Sequence, residues 1–325
     1  MHARPLQSGS TMTPPAFRLA LIAPRHWPVW MGLGLMRLLH LLPIRVQLKL
    51  GEGIGSLAAR LLKSRRRIVA ANLFVAFRDR SHAERRQMLH AHFRALGRGG
   101  FEAAIAWWSS DARIARAGMV EGLEHLRAVQ DKGQGLLLLT GHFTTLELGA
   151  RFLTLAGVEF HAMYRPYENP VMDYLMHHWR QRRSKLPALP REELRPLVRA
   201  LREGRAVWYA PDQTLDPKIS VFVPFFGKNV ATIVATSKLA AMGRAAVVPY
   251  FPAYLGHGRY RVVMEPALAD FPGADEVADA ARINAVLEAG IRQYAPTEYF
   301  WVHRRFKSVP PGESDIYRKP GRDSP

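Results

Sequence analysis

The chain has no cysteine among its 325 residues. That removes disulfides, thiolate metal sites, iron–sulfur clusters and a cysteine nucleophile from consideration. Acidic residues are scarce too: 27 Asp and Glu stand against 46 Lys and Arg, a formal charge of +19 with a pI near 10.7. Such a chain is drawn to something anionic, whether nucleic acid, an anionic membrane face, a phosphorylated lipid or an acidic protein, and charge alone does not choose among them. There is no HExxH, and the adjacent His177 and His178 would point to different faces of a helix, so no metal site is expected. Without a G-x-S-x-G there is no serine elbow either.

A long uninterrupted apolar run is also missing. The nearest approach, HWPVWMGLGLMRLLHLLPIRVQLKL from 26 to 50, is broken by Arg37 and Pro43, whereas a clean transmembrane helix needs roughly 18 or more apolar residues with few charges. A helix lying at the membrane interface, one short span and a core helix all remain open for 26–48. Trp27 and Trp30 would suit headgroup depth. The basic run RLLKSRRR (60–67) follows; basic flanks mark the cytoplasmic side of an anchor, although a run like this also serves as a solvated face. No small-residue cleavage site follows the apolar stretch, so no secretory signal is read. Residues 1–15 are polar and proline-containing, and a flexible N-terminus is expected over 1–25, with Met12 a possible start and a flexible tail over 314–325.

What is present is the composition of a folded protein, 48% hydrophobic and 22% charged, long enough for one or two domains. SHAERRQMLHAHFRALGRGGFEAAIAWW (81–108) carries Met88, Leu89, Phe93 and Leu96 at helical spacing. Beyond residue 135 the rhythm changes. Short apolar runs predict strands near 135–140, 158–163, 205–210, 245–250 and 259–265, with helices near 144–156, 170–184, 191–203, 230–242 and 275–294. That alternation implies an α/β fold with a mostly parallel sheet flanked by helices.

The first of those strands, LLLLT, runs into GHFTTLE. Five residues of helix turn through about 500°, which would leave His142 and Glu147 about 140° apart, so they meet only if the histidine stands in the turn before the helix. A strand ending at Thr140, a turn at Gly141 and a helix from about Thr144 supply that arrangement, at the strand end where open α/β sheets bind ligands. A carboxylate on one imidazole nitrogen fixes the tautomer and leaves the other nitrogen free as a general base. The pair lacks a protein nucleophile, so water or a substrate hydroxyl would attack.

Other candidates lie at neighbouring strand ends. Arg165, before Pro166, is suited to a phosphate or a developing oxyanion. Asp212 and Gln213 follow Pro211, where turn formation is the more common use of Asp. The apolar stretches SVFVPFFGKNVAT and AAVVPYFPAYL are read as loops that would line an acyl pocket or pack the core.

Taken in order, GHFTTLE, MYRP, PDQ, VFVPFFG, AAVVPYFP and EYFWVHRRFKSVPPGE resemble the late-acting lipid A biosynthesis acyltransferases, the Kdo-dependent lauroyl and myristoyl transferases of Gram-negative envelopes. The resemblance runs from about Trp27 to Glu313. It implies a glycerolipid-acyltransferase-like fold, an acyltransferase domain over 49–313 behind a membrane-associated helix, and a position on the cytoplasmic face of the inner membrane. It also implies acyl transfer from acyl carrier protein to a hydroxyl of a lipid A precursor, with no cofactor and no covalent enzyme intermediate. By that resemblance His142 and Glu147 are the catalytic dyad and Arg165, Asp212 and Gln213 substrate-site residues. The segment after Gln213, DQTLDPKIS, departs from relatives, which often carry an acidic or glycine residue next. Two rivals stand beside this reading: an acyltransferase with a glycerophospholipid or mannosylated lipid acceptor, and a basic nucleic-acid-binding protein, although no recognition motif for nucleic acid is present.

Overall fold

The computed structural model describes residues 16–164, 166–190, 193–213 and 219–317. Arg165 and the Thr214–Asp216 segment lie outside them, as do residues 1–15 and most of the expected C-terminal tail.

After two short 3-10 turns (Leu19–Ile22 and Pro24–His26) come four helices: α1 (Trp27–Leu39), α2 (Ile44–Leu61), α3 (Lys63–Ala76) and α4 (His82–Trp108). Pro43 divides the apolar stretch into two helices instead of one: it precedes α2 as its N-cap and leaves α1 only 13 residues long. Among the described residues no helix is long and apolar enough to cross a membrane. Both helices expose their apolar side chains, Trp27, Met31, Leu35 and Leu38 on α1 and Leu50, Ile54, Leu57 and Leu61 on α2. The opposite face of α2 is buried, and its glycines set the packing distance. A methyl group on Gly97 of α4 would come within 1.9 Å of the Gly51 carbonyl oxygen, so α2 and α4 touch backbone to backbone. Ser81 starts α4 with a capping box: its hydroxyl accepts from the Glu84 amide while the Glu84 carboxylate accepts from the Ser81 amide.

Then follow α5 (Asp111–Ala115), β1 (Gly118–Glu121), α6 (Leu123–Gln130), β2 (Leu136–Leu139), α7 (Leu146–Leu155), β3 (Phe160–Tyr164), α8 (Pro170–Ser184) and β4 (Leu189–Pro190). The remainder is α9 (Leu194–Arg202), β5 (Ala206–Tyr209), β6 (Ser220–Phe225), β7 (Lys228–Ile233), α10 (Ala235–Gly243), β8 (Ala246–Gly256), β9 (Arg259–Met264) and α11 (Glu276–Tyr294).

Seven strands form one sheet in the order β1-β9-β8-β2-β5-β3-β4, parallel throughout except where β8 meets β9. The expected class, a mostly parallel sheet flanked by helices, is the one observed. Its central strand β2 is buried on both faces, as a run of four leucines demands. The five expected strands and the helices at α7, α8, α9 and α11 are present near their expected positions.

Three readings need correction. VFVPFFGKNVAT is no loop but the β6–β7 hairpin, turned at Phe226 and Gly227, both with positive φ. AAVVPYFPAYL is no loop either, since from Ala246 onward it is the long strand β8, which runs past its pairing with β2 to pair with β9. Because β7 takes residues 228–233, the helix expected near 230–242 begins only at Ala235.

Candidate active site

Parallel pairing positions the site. β2 and β5 are neighbours with Leu139 opposite Tyr209, so the turns leaving their carboxyl ends emerge side by side. The first carries Thr140, Gly141 and His142, the second Pro211 and Asp212. His142 Nδ1 lies 2.5 Å from Asp212 Oδ1, and the His142 amide donates to Oδ2 of the same carboxylate at 2.8 Å. The Asp212 side chain is 2% exposed and the His142 side chain 31%, so the carboxylate is shielded while the ring keeps an outer face.

Burial alone would lower the His142 imidazole, but the charge and hydrogen bond of Asp212 outweigh it and raise its pKa above the ordinary histidine value. For Asp212 burial pushes upward, and the His142 charge and hydrogen bonds overcome that and hold it below the usual carboxylate range. The two shifts have one origin, an imidazolium stabilised by a buried carboxylate. Behind them, burial and then Asp212 keep the Tyr299 hydroxyl protonated, its pKa well above the ordinary phenol. The C-terminal segment fastens the histidine turn, with the Thr144 amide donating to the Glu298 carbonyl at 2.8 Å and the Phe300 amide to the His142 carbonyl at 2.9 Å.

Glu147 sits in the first turn of α7, which starts at Leu146, slightly later than expected. Its carboxylate faces a different partner from the one expected. Arg180 of α8 donates to Oε1 from Nε at 3.1 Å and also from a terminal nitrogen, and Trp107 Nε1 donates to Oε2 at 3.2 Å. Burial would lower the Arg180 guanidinium, but Glu147 more than compensates and raises it. Trp107 is in turn stacked on Trp179, with ring centroids 4.4 Å apart. The carboxylate that meets the imidazole is therefore Asp212, because the β5 turn leaves its strand level with the His142 turn, while α7 carries Glu147 towards α8.

His142, Glu147 and Arg180 nonetheless line one open groove of about 670 Å³, walled by α4 at Leu96 and Gly99 and by Trp208 and Phe300. Glu147, Arg180 and Trp208 also bound a second, small and mainly apolar cavity of about 60 Å³ that reaches Ala150, Ala162 and Trp179. Asp212, expected among the substrate contacts, lies behind the imidazole with no face on the groove. Gln213 is exposed in the turn after it. Arg180, Trp107 and Tyr299 were not singled out from sequence; Arg180 stood in the arginine-rich run HHWRQRR, where nothing distinguished it from its neighbours. No group of acidic residues and histidines suited to a metal ion occurs among the described residues.

The model of the bacterial lipid A biosynthesis acyltransferase family matches residues 15–308. The chain belongs to that family. It is 41% identical over 305 residues to the lipid A biosynthesis lauroyltransferase of Escherichia coli K12, covering 93% of this chain and 99% of that one. The palmitoleoyltransferase of the same organism is 38% identical, over 93% of this chain and 98% of its own. The myristoyltransferase is 29% identical, over 94% of both. Among solved structures, the 1-acyl-sn-glycerophosphate acyltransferase of Thermotoga maritima matches with a TM-score of 0.38 at 15% identity, covering 77% of this chain and 96% of that one.

Proposed function

We propose that the protein transfers a fatty acyl chain from acyl carrier protein to a hydroxyl of a lipid A precursor, as a step of lipopolysaccharide biosynthesis. The observation that carries the reaction type is His142: a partly exposed imidazole backed by a buried carboxylate, opening on a groove at the carboxyl end of a parallel sheet. With Nδ1 held by Asp212, Nε2 is the nitrogen that takes the acceptor hydroxyl's proton as its oxygen attacks the thioester carbonyl. The resulting oxyanion collapses by breaking the carbon–sulfur bond, and the imidazolium returns its proton to the departing thiolate. No acyl-enzyme is needed.

Asp212 orients the imidazole in this mechanism. Glu147 acts on the opposite side of the groove, fixing the Arg180 guanidinium where negative charge develops on the carbonyl oxygen. The acidic donor and the phosphate-bearing acceptor suit a chain of +19. The outward apolar stripes of α1 and α2, beside Arg65, Arg66 and Arg67, suit a protein lying on the cytoplasmic face of the inner membrane without α1 crossing it.

The test is transfer of a radiolabelled acyl chain from acyl carrier protein to a purified lipid A precursor, wild type beside His142→Ala. Label should move with wild type alone. Equal transfer by both proteins would remove His142 from the mechanism; no transfer by wild type, with glycerophospholipid acceptors labelled instead, would replace the acceptor.

A further inference from the structure

A second groove, of about 920 Å³, adjoins the catalytic one and shares Leu96 and Phe300 with it. Its two sides differ in chemistry. One is apolar, built from Ile54, Ala58 and Leu62 of the α2 face and the chain just after it; the other is the segment after Phe300, which supplies His303, Arg304 and Lys307, and Arg65 of α3 adds a further cation to the lining. No acidic side chain lines it among the described residues. Three of its cations, Arg65, Arg304 and Lys307, are exposed, and Arg65 lies in the first turn of a 14-residue helix whose amino end adds further positive potential. The inner end is close to the catalytic pair. Burial lowers the His303 imidazole, and the charges of Asp212, Arg305 and His142 all reach it.

We infer that this groove is the headgroup subsite of the acceptor: Arg65, Arg304 and Lys307 hold a phosphate of the lipid, whose acyl chains lie along Ile54 and Leu62 towards His142. The inference rests on the acceptor reading above. Its physical content is the pairing of a cationic wall with an apolar one at the edge of the exposed α2 stripe, which fits a molecule that is anionic at one end and hydrocarbon at the other. The shared Leu96 and Phe300 give the chain bearing the reactive hydroxyl a direct path into the catalytic groove. A free phosphate would use only half of these walls, and an acidic protein would leave the apolar half unfilled.

The experiment reads binding without turnover. Lipid A precursor in neutral detergent micelles, with its phosphates intact or after phosphatase treatment, is titrated against wild type, Arg65→Gln/Lys307→Gln and the conservative Arg65→Lys/Lys307→Arg. Loss of two charge-assisted contacts should weaken binding of the intact precursor by about tenfold or more. The same glutamine variant should bind the phosphatase-treated lipid as wild type does, and the conservative variant should retain tight binding of the intact one. An equal loss on both lipids, no loss on either, or no binding by wild type overturns the subsite. Absence of acyl transfer in an enzyme that shows the expected binding pattern would overturn the reaction and leave the subsite standing.

Discussion

Leu139 and Tyr209 face each other across the parallel pair β2–β5, and three residues beyond each of them stand His142 and Asp212. The pairing of imidazole and carboxylate is thus a consequence of strand register: two turns leaving neighbouring strands at the same level present corresponding positions to each other. Asp212→Asn keeps the shape and removes the charge that stabilises the imidazolium. It should lower kcat by about 10²–10⁴-fold with little change in KM for either substrate. Steady-state kinetics with saturating acyl carrier protein thioester measure it.

The raised His142 pKa has a definite sign in the pH profile. As the proposed general base His142 must be neutral at Nε2, so activity should be lost as pH falls through its pKa, which Asp212 lifts above the ordinary histidine value against the lowering effect of burial. The acidic limb of kcat/KM should therefore lie above the ordinary histidine range in wild type and move down in Asp212→Asn. In stability the sign is opposite: the ion pair contributes fully below the unfolded histidine value and its contribution fades as pH rises through the folded one. Melting temperatures of wild type and Asp212→Asn should differ most on the acid side, as long as Asp212 stays ionised.

Glu147→Gln removes the negative partner of Arg180 and leaves His142 with Asp212. Transfer should fall by about 10–100-fold, the scale of a displaced charge stabiliser, while the acidic limb stays where it is in wild type. Should that limb shift with Glu147→Gln and stay put with Asp212→Asn, the imidazole answers to Glu147 and the assignment of the two carboxylates is reversed.

Gly97→Ala probes the contact between α2 and α4. The added methyl would strike the Gly51 carbonyl oxygen and the Gly55 amide nitrogen, both backbone atoms that cannot rotate away. A loss of about 1–3 kcal/mol is expected, read as a lower denaturant midpoint. Gly53→Ala, on α2 between the contact glycines Gly51 and Gly55 but with open space around it, is the control and should be neutral or slightly stabilising.

Leu35 on α1 and Leu57 on α2 are each more than half exposed and add nothing to the core. Leu35→Glu/Leu57→Glu should leave the melting temperature within about a degree of wild type and reduce sedimentation with anionic vesicles severalfold. Unchanged sedimentation would assign the exposed stripes some other partner.

Legibility from sequence followed the range of the forces involved. The four leucines of β2, the alternation after residue 135 and the His142 turn are local patterns, and the parallel sheet follows from them. Partner choice was not local. H-x4-E lies within one stretch and drew Glu147 to His142, while Asp212 stands 70 positions away and becomes its neighbour only through β2–β5 register. Arg180 and Trp107 reach Glu147 from two different helices, and nothing in either stretch marks them. The hairpin at Phe226–Gly227 was hidden because Phe-Gly lacks the usual Asn-Gly signature, with a phenylalanine adopting φ 51°. Pro43 was visible as an interruption; that it separates two helices with outward apolar faces required the packing of α2 on α4.

The glycine contact between those two helices also governs leverage. At Gly51, Gly55 and Gly97 no side chain lies between the two backbones, and a methyl group at any of the three would push α2 away from α4. α4 is also a wall of the His142 groove through Leu96 and Gly99. The outward stripe of α2 and the His142 groove are therefore carried by the two partners of one helix contact, and the spacing of that contact sets the height of the groove above whatever surface that stripe rests on. A side chain introduced at any of these three glycines would therefore change that height without touching His142 or Asp212.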